Sequence, residues 1–220
     1  MTFEEAMTRV EVELQFPEQL SEFHNRRTRA LFIETGLMEQ LTRIPTVVVT
    51  GSCGKTSTKA ALAHCLTASG VAVHASEKSY NNHWGVPLTL ARMPRETGVA
   101  VLEMGMNHPG EIRALTAMVR PDVAVITTVE AAHLAAFDSI REIADAKAEI
   151  FEGLTENGVA VLPADNACHA QLVAAAQRSG VARIVNFGLA ETAEYRAVRI
   201  SLKPEASCVE AWLNGHDAAL

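Results

Sequence analysis

The feature of this 220-residue chain that most constrains its fold is a series of short apolar runs rich in Val and Ala. Stretches of helical character separate six such runs, which are TVVVT (46–50), VAVH (71–74), VAVLEM (99–104), VAVIT (123–127), VAVLP (159–163) and RIVNF (183–187). Continuous apolar strands that alternate with helices are typical of a parallel sheet covered on both faces. We therefore predict a doubly wound α/β domain with a mostly parallel sheet from about 44 to 190.

The sequence on either side of this predicted domain has a different pattern. Residues 1–43 are charged and helix-prone without a strand signal, and they predict a short helical N-terminal extension. Residues 191–220 contain EYRAVRISL and SCVEAWL, which predict a β-rich tail with two antiparallel strands. Within the central domain we predict helices over 55–69, 86–91, 110–119, 139–154 and 166–179.

Charge and composition exclude some classes of function. The net charge of −7 argues against a nucleic-acid-binding surface, because such surfaces are basic. No apolar run approaches the ~20 residues of a membrane span, so we expect no membrane insertion. The four cysteines have no C-x-x-C spacing, which favours free thiols and a cytoplasmic location.

A glycine-rich segment, GSCGKTS, follows the first predicted strand and precedes a predicted helix. Backbone amides of such a loop, together with the helix N-terminus, attract phosphate oxygens. Lys55 would reach the outer phosphates, and the hydroxyl of Thr56 would be a ligand for Mg²⁺. An ordinary strand-to-helix turn, with Cys53 as a small filler, is the simpler alternative. The predicted nucleotide-contacting residues of the loop are Gly51, Ser52, Cys53, Gly54, Lys55, Thr56 and Ser57.

Two further residues are expected at the same edge of the sheet, since ligands bind beyond the carboxyl ends of parallel strands. Glu103 ends an apolar run, where its carboxylate could hold Mg²⁺ or could simply lie at the surface. His133 follows the next strand, in TVEAAHLAAF, and is a candidate ligand. A histidine beside Ala and Leu is more often partly buried with a structural partner.

Lys147 lies within the apolar stripe of the helix SIREIADAKAEIFEGL. A buried lysine costs several kcal/mol unless it is paired or modified. The alternatives are an ammonium group that extends to the rim of the helix and a lysine that is neutralised or modified at a functional site.

Polar loops complete the list of candidate positions. The stretch KSYNNHWGVPLTL (78–90) places amides and an imidazole before a helix, and GMNHPGEIR places another histidine there. These residues could contact a substrate that faces the phosphate loop, or they could be turn-forming residues that cap helices. The candidate substrate contacts are Asn81, Asn82, His83 and His108.

Over residues 46–166 the chain resembles the central domain of the Mur ligases. The resemblance rests, in order, on TGSCGKTS, KSYNNHWGVPLTL, VLEMGMNHPGEI, HLAAFDSI and ADAKAEIFEGL, and it is closest to the branch that adds D-alanyl-D-alanine. That family has the short form T-G-x-x-G-K-T of the phosphate loop, which explains why Val49 stands where a longer loop has glycine. The resemblance implies an ATP- and Mg²⁺-dependent ligase of peptidoglycan precursor synthesis. Its partners would be a UDP-N-acetylmuramoyl peptide and D-alanyl-D-alanine, joined through an acyl phosphate.

The resemblance also implies roles for individual residues. Lys55, Lys147 and His133 match catalytic positions, and Thr56, Glu103, His133 and Lys147 match positions of the Mg²⁺ sites. Lys147 matches a lysine that the family carbamylates. Asn166 matches a position near the nucleotide. One departure is Thr128, which stands where many members have Asn.

A second departure is length, because members have a domain on each side of the central one. We expect an incomplete ligase that binds nucleotide and forms amide weakly or not at all alone, with flanking domains or a partner chain supplying the rest. One alternative is a non-catalytic nucleotide-binding module that works with a partner. Another is a folylpolyglutamate-synthase-like ligase, against which NNHWGVPLTL argues.

Overall fold

The structure, a computed structural model, describes residues 44–131, 136–202 and 207–219. The predicted helical extension (1–43) and His133 lie outside the described residues. Within them, no helix combines the length and apolar character needed to cross a bilayer. The proposed division of the chain at about 43 and 190 stays a prediction.

A single nine-stranded sheet runs through the described residues in the order β2-β3-β1-β4-β5-β6-β7-β8-β9. Strands β1 to β7 pair in parallel, and β7, β8 and β9 pair antiparallel. The prediction of a mostly parallel α/β sheet with a small antiparallel piece is therefore confirmed. The strands are β1 (Thr46–Thr50), β2 (Val73–Ala75), β3 (Val99–Glu103), β4 (Val123–Ile126), β5 (Val159–Pro163), β6 (Arg183–Gly188), β7 (Tyr195–Leu202), β8 (Ser207–Leu213) and β9 (His216–Ala219).

Helices connect the parallel strands, as the alternating pattern predicts. They are α1 (Lys55–Ala68), α2 (Gly85–Ala91), α3 (Glu111–Val119), α4 (Ile140–Ala148) and α5 (His169–Arg178). Buried apolar side chains of the strands and helices form one core, with Val48, Leu102, Ile126, Ile143 and Phe151 each at most 1% exposed. The burial of both faces explains why the strands are continuously apolar instead of alternating.

The predicted helix over 139–154 was wrong in its second half. An α-helix ends at Ala148, and a 3-10 helix follows over Glu149–Gly153. This segment packs closely on α3, because a Cβ on Gly153 would lie 2.3 Å from the hydroxyl of Thr116. That hydroxyl donates a 2.9 Å hydrogen bond to the carbonyl of Ile150. The tighter 3-10 turn thus accompanies the close approach of two elements that are distant in the sequence.

The predicted helix over 166–179 begins three residues later than expected. The side-chain oxygen of Asn166 accepts a 2.9 Å hydrogen bond from the amide of Cys168. This turn orders the chain locally before α5 begins at His169. Asparagine competes for backbone groups in this way, which is why it favours the ends of helices.

The C-terminal residues contain one strand more than predicted. β8 turns into β9 through Asn214 and Gly215, whose φ angles are 45° and 100°. Asn-Gly between two strands is a strong hairpin signal, because both central residues of the turn need positive φ. The sequence thus contained the signal for the third strand, β9.

Candidate functional site

The strand order reverses at β1, which lies between β3 and β4. In register, Val49 pairs with Glu103 and Thr50 with Ile126, so the carboxyl ends of these three strands are level. Such a switch point opens a crevice where ligands bind in doubly wound folds. The sheet therefore brings together the loop after β1, the end of β3 and the loop after β4.

The loop after β1 has the conformation of an anion-binding turn. Gly51 and Gly54 have φ angles of 147° and 79°, which favour glycine. A Cβ on Gly51 would lie 1.9 Å from Oγ1 of Thr127, so no larger residue fits there. The ammonium group of Lys55 donates a 2.9 Å hydrogen bond to the carbonyl of Gly51 and thus lies over the loop. The loop leads directly into α1, whose N-terminal amides favour a negative charge.

A second loop, residues 127–130, holds the phosphate loop in place. The amide of Ser52 donates to the carbonyl of Thr128 at 2.9 Å. The hydroxyl of Ser52 accepts from the amide of Glu130 at 2.9 Å and donates to its carbonyl at 3.1 Å. The hydroxyl of Thr127 donates to the carbonyl of Cys53 at 2.5 Å. These contacts pre-organise the loop, and they occupy the backbone amide and the hydroxyl of Ser52 and the carbonyl of Cys53.

The carboxylate of Glu103 is the central group of the site and is 1% exposed. Its Oε2 accepts a 2.9 Å hydrogen bond from the hydroxyl of Thr56, and its Oε1 accepts a 2.7 Å bond from the amide of Asn81. The buried ammonium group of Lys59 lies 3.6 Å from Oε2. The alternative of a surface glutamate is therefore wrong. A buried carboxylate next to a hydroxyl at a phosphate loop provides the hard oxygen ligands that Mg²⁺ prefers.

The described residues contain no further cluster of metal ligands at this edge of the sheet. Among residues 44–131, 136–202 and 207–219, no group of three or more His, Cys, Asp and Glu side chains is placed to hold a metal ion. Thr56 and Glu103 thus suit a cation that takes its remaining ligands from water and phosphate oxygens, as Mg²⁺ does. His133, a predicted metal ligand, lies outside the described residues.

Lys147 is buried at 2% exposure on α4, as its position in the apolar stripe predicts. Burial, and to a smaller extent the charge of Lys55, lower the pKa of Lys147 from 10.5 to about 8. A larger share of neutral amine at neutral pH makes Lys147 more nucleophilic than a surface lysine.

A cavity of about 510 Å³ adjoins the end of β3. Asn82, His83, Gly105 and His108 contribute to its wall, so three of the four predicted substrate contacts lie together. Asn82 also caps α2, since its side-chain oxygen accepts from the amide of Gly85 at 3.0 Å. The fourth predicted contact, Asn81, directs its amide to Glu103 and is not among the residues that line this cavity.

Asn166 lies in the turn before α5 and contacts the loop of residues 127–130. Its amide nitrogen donates to Oγ1 of Thr128 at 3.2 Å and to the carbonyl of Val129 at 2.9 Å. The hydroxyl of Thr128 therefore accepts a side-chain hydrogen bond within the site. The role of Asn166 in nucleotide binding stays a prediction, and the observed contacts assign it to the support of residues 127–130.

Sequence reasoning missed two residues of this site. Lys59 follows Lys55 by four positions on a helix with no strong apolar pattern, so helical spacing did not indicate its burial. Thr127 looked like the end of an apolar strand. Lys59 pairs with Glu103 and Thr127 bonds to the carbonyl of Cys53, which lie far away in the sequence, and no local pattern predicts such partners.

Comparison with known proteins identifies the family. A profile described as the Mur ligase middle domain matches residues 49–218. The chain belongs to the Mur ligase family. The resemblance inferred from the sequence motifs is thereby confirmed.

Individual Mur ligases show how much of such a protein is present here. The UDP-N-acetylmuramoyl-tripeptide–D-alanyl-D-alanine ligase of Rickettsia prowazekii is 35% identical over 168 residues, which are 76% of this chain and 37% of that protein. A crystal structure of MurF from Acinetobacter baumannii is 30% identical with a TM-score of 0.78, over 87% of this chain and 42% of that one. A MurF ligase from Thermotoga maritima in complex with ADP is 27% identical with a TM-score of 0.76, over 90% and 44%. The chain thus spans less than half the length of these Mur ligases.

Proposed function

We propose that this chain supplies the nucleotide-binding part of an ATP-dependent ligase that joins D-alanyl-D-alanine to a UDP-N-acetylmuramoyl tripeptide. The observation that carries the proposal is the hydrogen bond between Thr56 and the buried Glu103 at the mouth of the phosphate loop. The similarity to MurF ligases supports the choice of substrates.

The phosphate loop would bind the β- and γ-phosphates of ATP. Its amides and the N-terminus of α1 present hydrogen-bond donors and positive potential, and Lys55 adds a full charge. Phosphoryl transfer depends mainly on positioning and on stabilisation of charge at the transferred group. We therefore assign to Lys55 the largest role of any single side chain, because its positive charge would stabilise the γ-phosphoryl group during transfer to the acceptor.

Mg²⁺ would be held by Thr56 and Glu103, and it would neutralise charge on the phosphate oxygens. The burial of Glu103 would strengthen the attraction between its carboxylate and Mg²⁺, because a carboxylate away from water is poorly screened. The hydrogen bond from Thr56 fixes one carboxylate oxygen toward the loop.

Lys147 would react as a neutral amine with CO₂ to form a carbamate. The amine nitrogen forms a bond to the carbon of CO₂, one C=O π pair moves to oxygen, and the nitrogen loses one proton to the solvent, which leaves a carboxylate in place of a neutral amine. The lowered pKa of Lys147 supports this proposal, since only the neutral amine reacts. The new negative charge would offset the positive charge that Lys55 exerts on Lys147 and would assist in cation binding.

The cavity beside β3 would hold the end of the muramoyl peptide. Asn82, His83 and His108 offer hydrogen-bond donors to a carboxylate. An oxygen of that carboxylate attacks the γ-phosphorus, and ADP leaves. The amine of D-alanyl-D-alanine then attacks the acyl carbon, phosphate leaves, and the amine proton passes to a base or to water.

The matched ligases extend well beyond the aligned region, so we assign to these 220 residues the nucleotide side of the reaction and one wall of the peptide site. We also place the protein in the cytoplasm, where thiols stay reduced. The unpaired cysteines Cys53, Cys65, Cys168 and Cys208 support this location.

Titration calorimetry of ATP with Mg²⁺ into this chain tests the proposal, with Lys55→Ala as the variant. We expect binding of ATP and ADP that Lys55→Ala abolishes, and no comparable binding of AMP, because the phosphate loop reads the outer phosphates. Lys78→Ala is a matched control, since Lys78 is an exposed lysine outside the loop. Equal binding by Lys55→Ala, or no binding by the folded unaltered chain, would overturn the proposed nucleotide site.

The carbamate has its own measurement. Carbon-13 NMR in ¹³C-labelled bicarbonate should give a carbamate signal that Lys147→Met removes and Lys78→Met retains. A spectrum that is the same for Lys147→Met and the unaltered chain would exclude this modification at Lys147.

A further inference from the structure

We propose that Asn81 is a positioning residue of the metal site, which links the carboxylate of Glu103 to the wall of the substrate cavity. This inference rests on the proposed function and goes beyond a direct contact between Asn81 and substrate. Its consequence is that Mg²⁺ binding and the conformation of residues 79–85 are coupled.

Asn81 is held in place from two sides. Its amide nitrogen donates a 2.7 Å hydrogen bond to Oε1 of Glu103, and its backbone carbonyl accepts a 2.7 Å bond from the amide of Gly105. A Cβ on Gly105 would lie 2.9 Å from Cγ and Oδ1 of Asn81. The absence of a side chain at position 105 therefore leaves the space that the amide of Asn81 occupies. Gly105, two residues after Glu103, thus leaves room for the side-chain amide of Asn81, which orients the carboxylate of Glu103.

The two oxygens of Glu103 have different partners. Thr56 and Lys59 lie at Oε2, while Asn81 lies at Oε1. The carboxylate plane is therefore fixed by donors on both sides, one from the phosphate loop and one from residues 76–85. Without the hydrogen bond from Asn81, the carboxylate of Glu103 can rotate while it keeps its hydrogen bond to Thr56. A ligand that is free to rotate binds a cation less tightly.

Lys59 fastens the beginning of the same loop. Its buried ammonium group donates to the carbonyl of Ser76 at 2.7 Å and to the carbonyl of Lys78. The hydroxyl of Ser76 in turn accepts from the amide of Glu103 at 3.0 Å. The segment before Asn81 is thus tied to the strand and helix that carry the metal ligands, so a shift of Asn81 cannot be absorbed there.

The segment after Asn81 leads directly to the cavity. Asn82 and His83 are the next two residues, and both contribute to its wall. Asn82 caps α2 through bonds to the amides of Trp84 and Gly85. A movement of Glu103 that carries Asn81 with it must therefore move the cavity wall, since the intervening backbone is a single peptide unit.

The first test is a Mg²⁺ titration of ADP binding by Asn81→Ala, with Ser79→Ala as a matched control in the same loop, where Ser79 is exposed. We expect the Mg²⁺ concentration that gives half of the maximal effect on ADP binding to rise about tenfold in Asn81→Ala. This is the change expected when one hydrogen bond to a charged group is lost. Binding of ADP without Mg²⁺ should stay within about twofold of the unaltered chain, because the phosphate loop is intact. That second value also shows that the variant is folded.

A second variant approaches the same contact from the other side. Gly105→Ala should displace the amide of Asn81 and raise the Mg²⁺ requirement in the same way, and the double variant should be no worse than either single one. Hydrogen exchange of residues 79–85 should slow with Mg²⁺ and ADP in the unaltered chain but not in Asn81→Ala.

The outcomes separate the two proposals. An unchanged Mg²⁺ requirement in Asn81→Ala, or additive effects in the double variant, would overturn the role of Asn81 and leave the nucleotide site standing. Absence of Lys55-dependent ADP binding in the unaltered chain would overturn the nucleotide site and this inference with it.

Discussion

The hydroxyl of Thr56 donates a 2.9 Å hydrogen bond to Oε2 of Glu103, although the two residues are 47 positions apart. One residue follows the phosphate loop and the other ends the neighbouring parallel strand. Their contact joins a hydroxyl group, just after the phosphate-binding amides, to a buried carboxylate. The chemistry of this edge of the sheet depends on that relationship, because neither residue alone provides a cation site.

Replacement of Glu103 by Ala should destabilise the fold as well as the site. The change leaves the buried ammonium group of Lys59 without its carboxylate, and breaking a buried ion pair from one side typically costs about 3–5 kcal/mol. We expect a loss of about 3 kcal/mol in the free energy of unfolding, measured with urea. Glu77→Ala, an exposed residue nearby, should change it by less than about 0.5 kcal/mol. Equal losses for the two variants would contradict the pairing.

Gly51→Ala should be among the most damaging single-methyl additions in the chain. The new Cβ would meet Oγ1 of Thr127 at 1.9 Å and would strain a backbone with φ of 147°. Strain and overlap together predict a loss of about 3 kcal/mol or more in unfolding free energy. Gly180→Ala has a φ of 72° with no atom within 4 Å of the new Cβ, so we expect only about 1 kcal/mol. Chemical denaturation of both variants checks the difference.

Two glutamates beside Arg113 allow a comparison of buried and exposed ion pairs. Glu149 is 6% exposed and accepts from the amides of Gly110 and Arg113 at the start of α3. Glu149→Ala leaves these donors without their acceptor, and we expect a cost of about 2 kcal/mol. Glu152 accepts two hydrogen bonds from the exposed guanidinium group of Arg113. Glu152→Ala should lower the free energy of unfolding by less than about 1 kcal/mol. A larger effect at Glu152, by thermal or urea unfolding, would contradict this order.

The buried amine of Lys147 predicts a pH dependence of stability. Between pH 8 and pH 10.5 the unfolded lysine retains its proton while the folded one loses it, so the free energy of unfolding should rise with pH in this window. The full change corresponds to about 3 kcal/mol, at 1.36 kcal/mol for each unit of pKa. Below about pH 8 the protonated amine destabilises the fold, and Lys147→Met should therefore be more stable than the unaltered chain there.

The measurement for Lys147 is urea unfolding from pH 7 to pH 10.5 in buffer free of CO₂. The difference between the unaltered chain and Lys147→Met removes the contribution of all other groups. Lys78→Met, in which an exposed lysine is lost, serves as the control and should leave the pH dependence unchanged. A constant difference between Lys147→Met and the unaltered chain across this range would show that the lysine is not desolvated.

Sequence patterns were sufficient for the order of strands and helices in the parallel part of the sheet. Apolar runs such as Val47–Val49 predict buried strands because the period of side-chain burial is a local property. The same holds for Lys147, whose place in the apolar stripe of its helix follows from helical spacing. The strand β9 was missed although Asn214 and Gly215 carry a hairpin signal, since the run after them is short and contains Asp217.

The sequence by itself determined the α/β fold, the phosphate loop and the family, because each depends on residues close together along the chain. Tertiary structure alone decided the partners of Glu103 and Gly51 and the burial of Lys59, since strands and loops far apart in the sequence meet at one edge of the sheet. It also decided that Asn81 faces a carboxylate. Hydrogen bonds and steric contacts form between positions in space, and the local spacing of residues along the chain does not indicate which distant groups will meet.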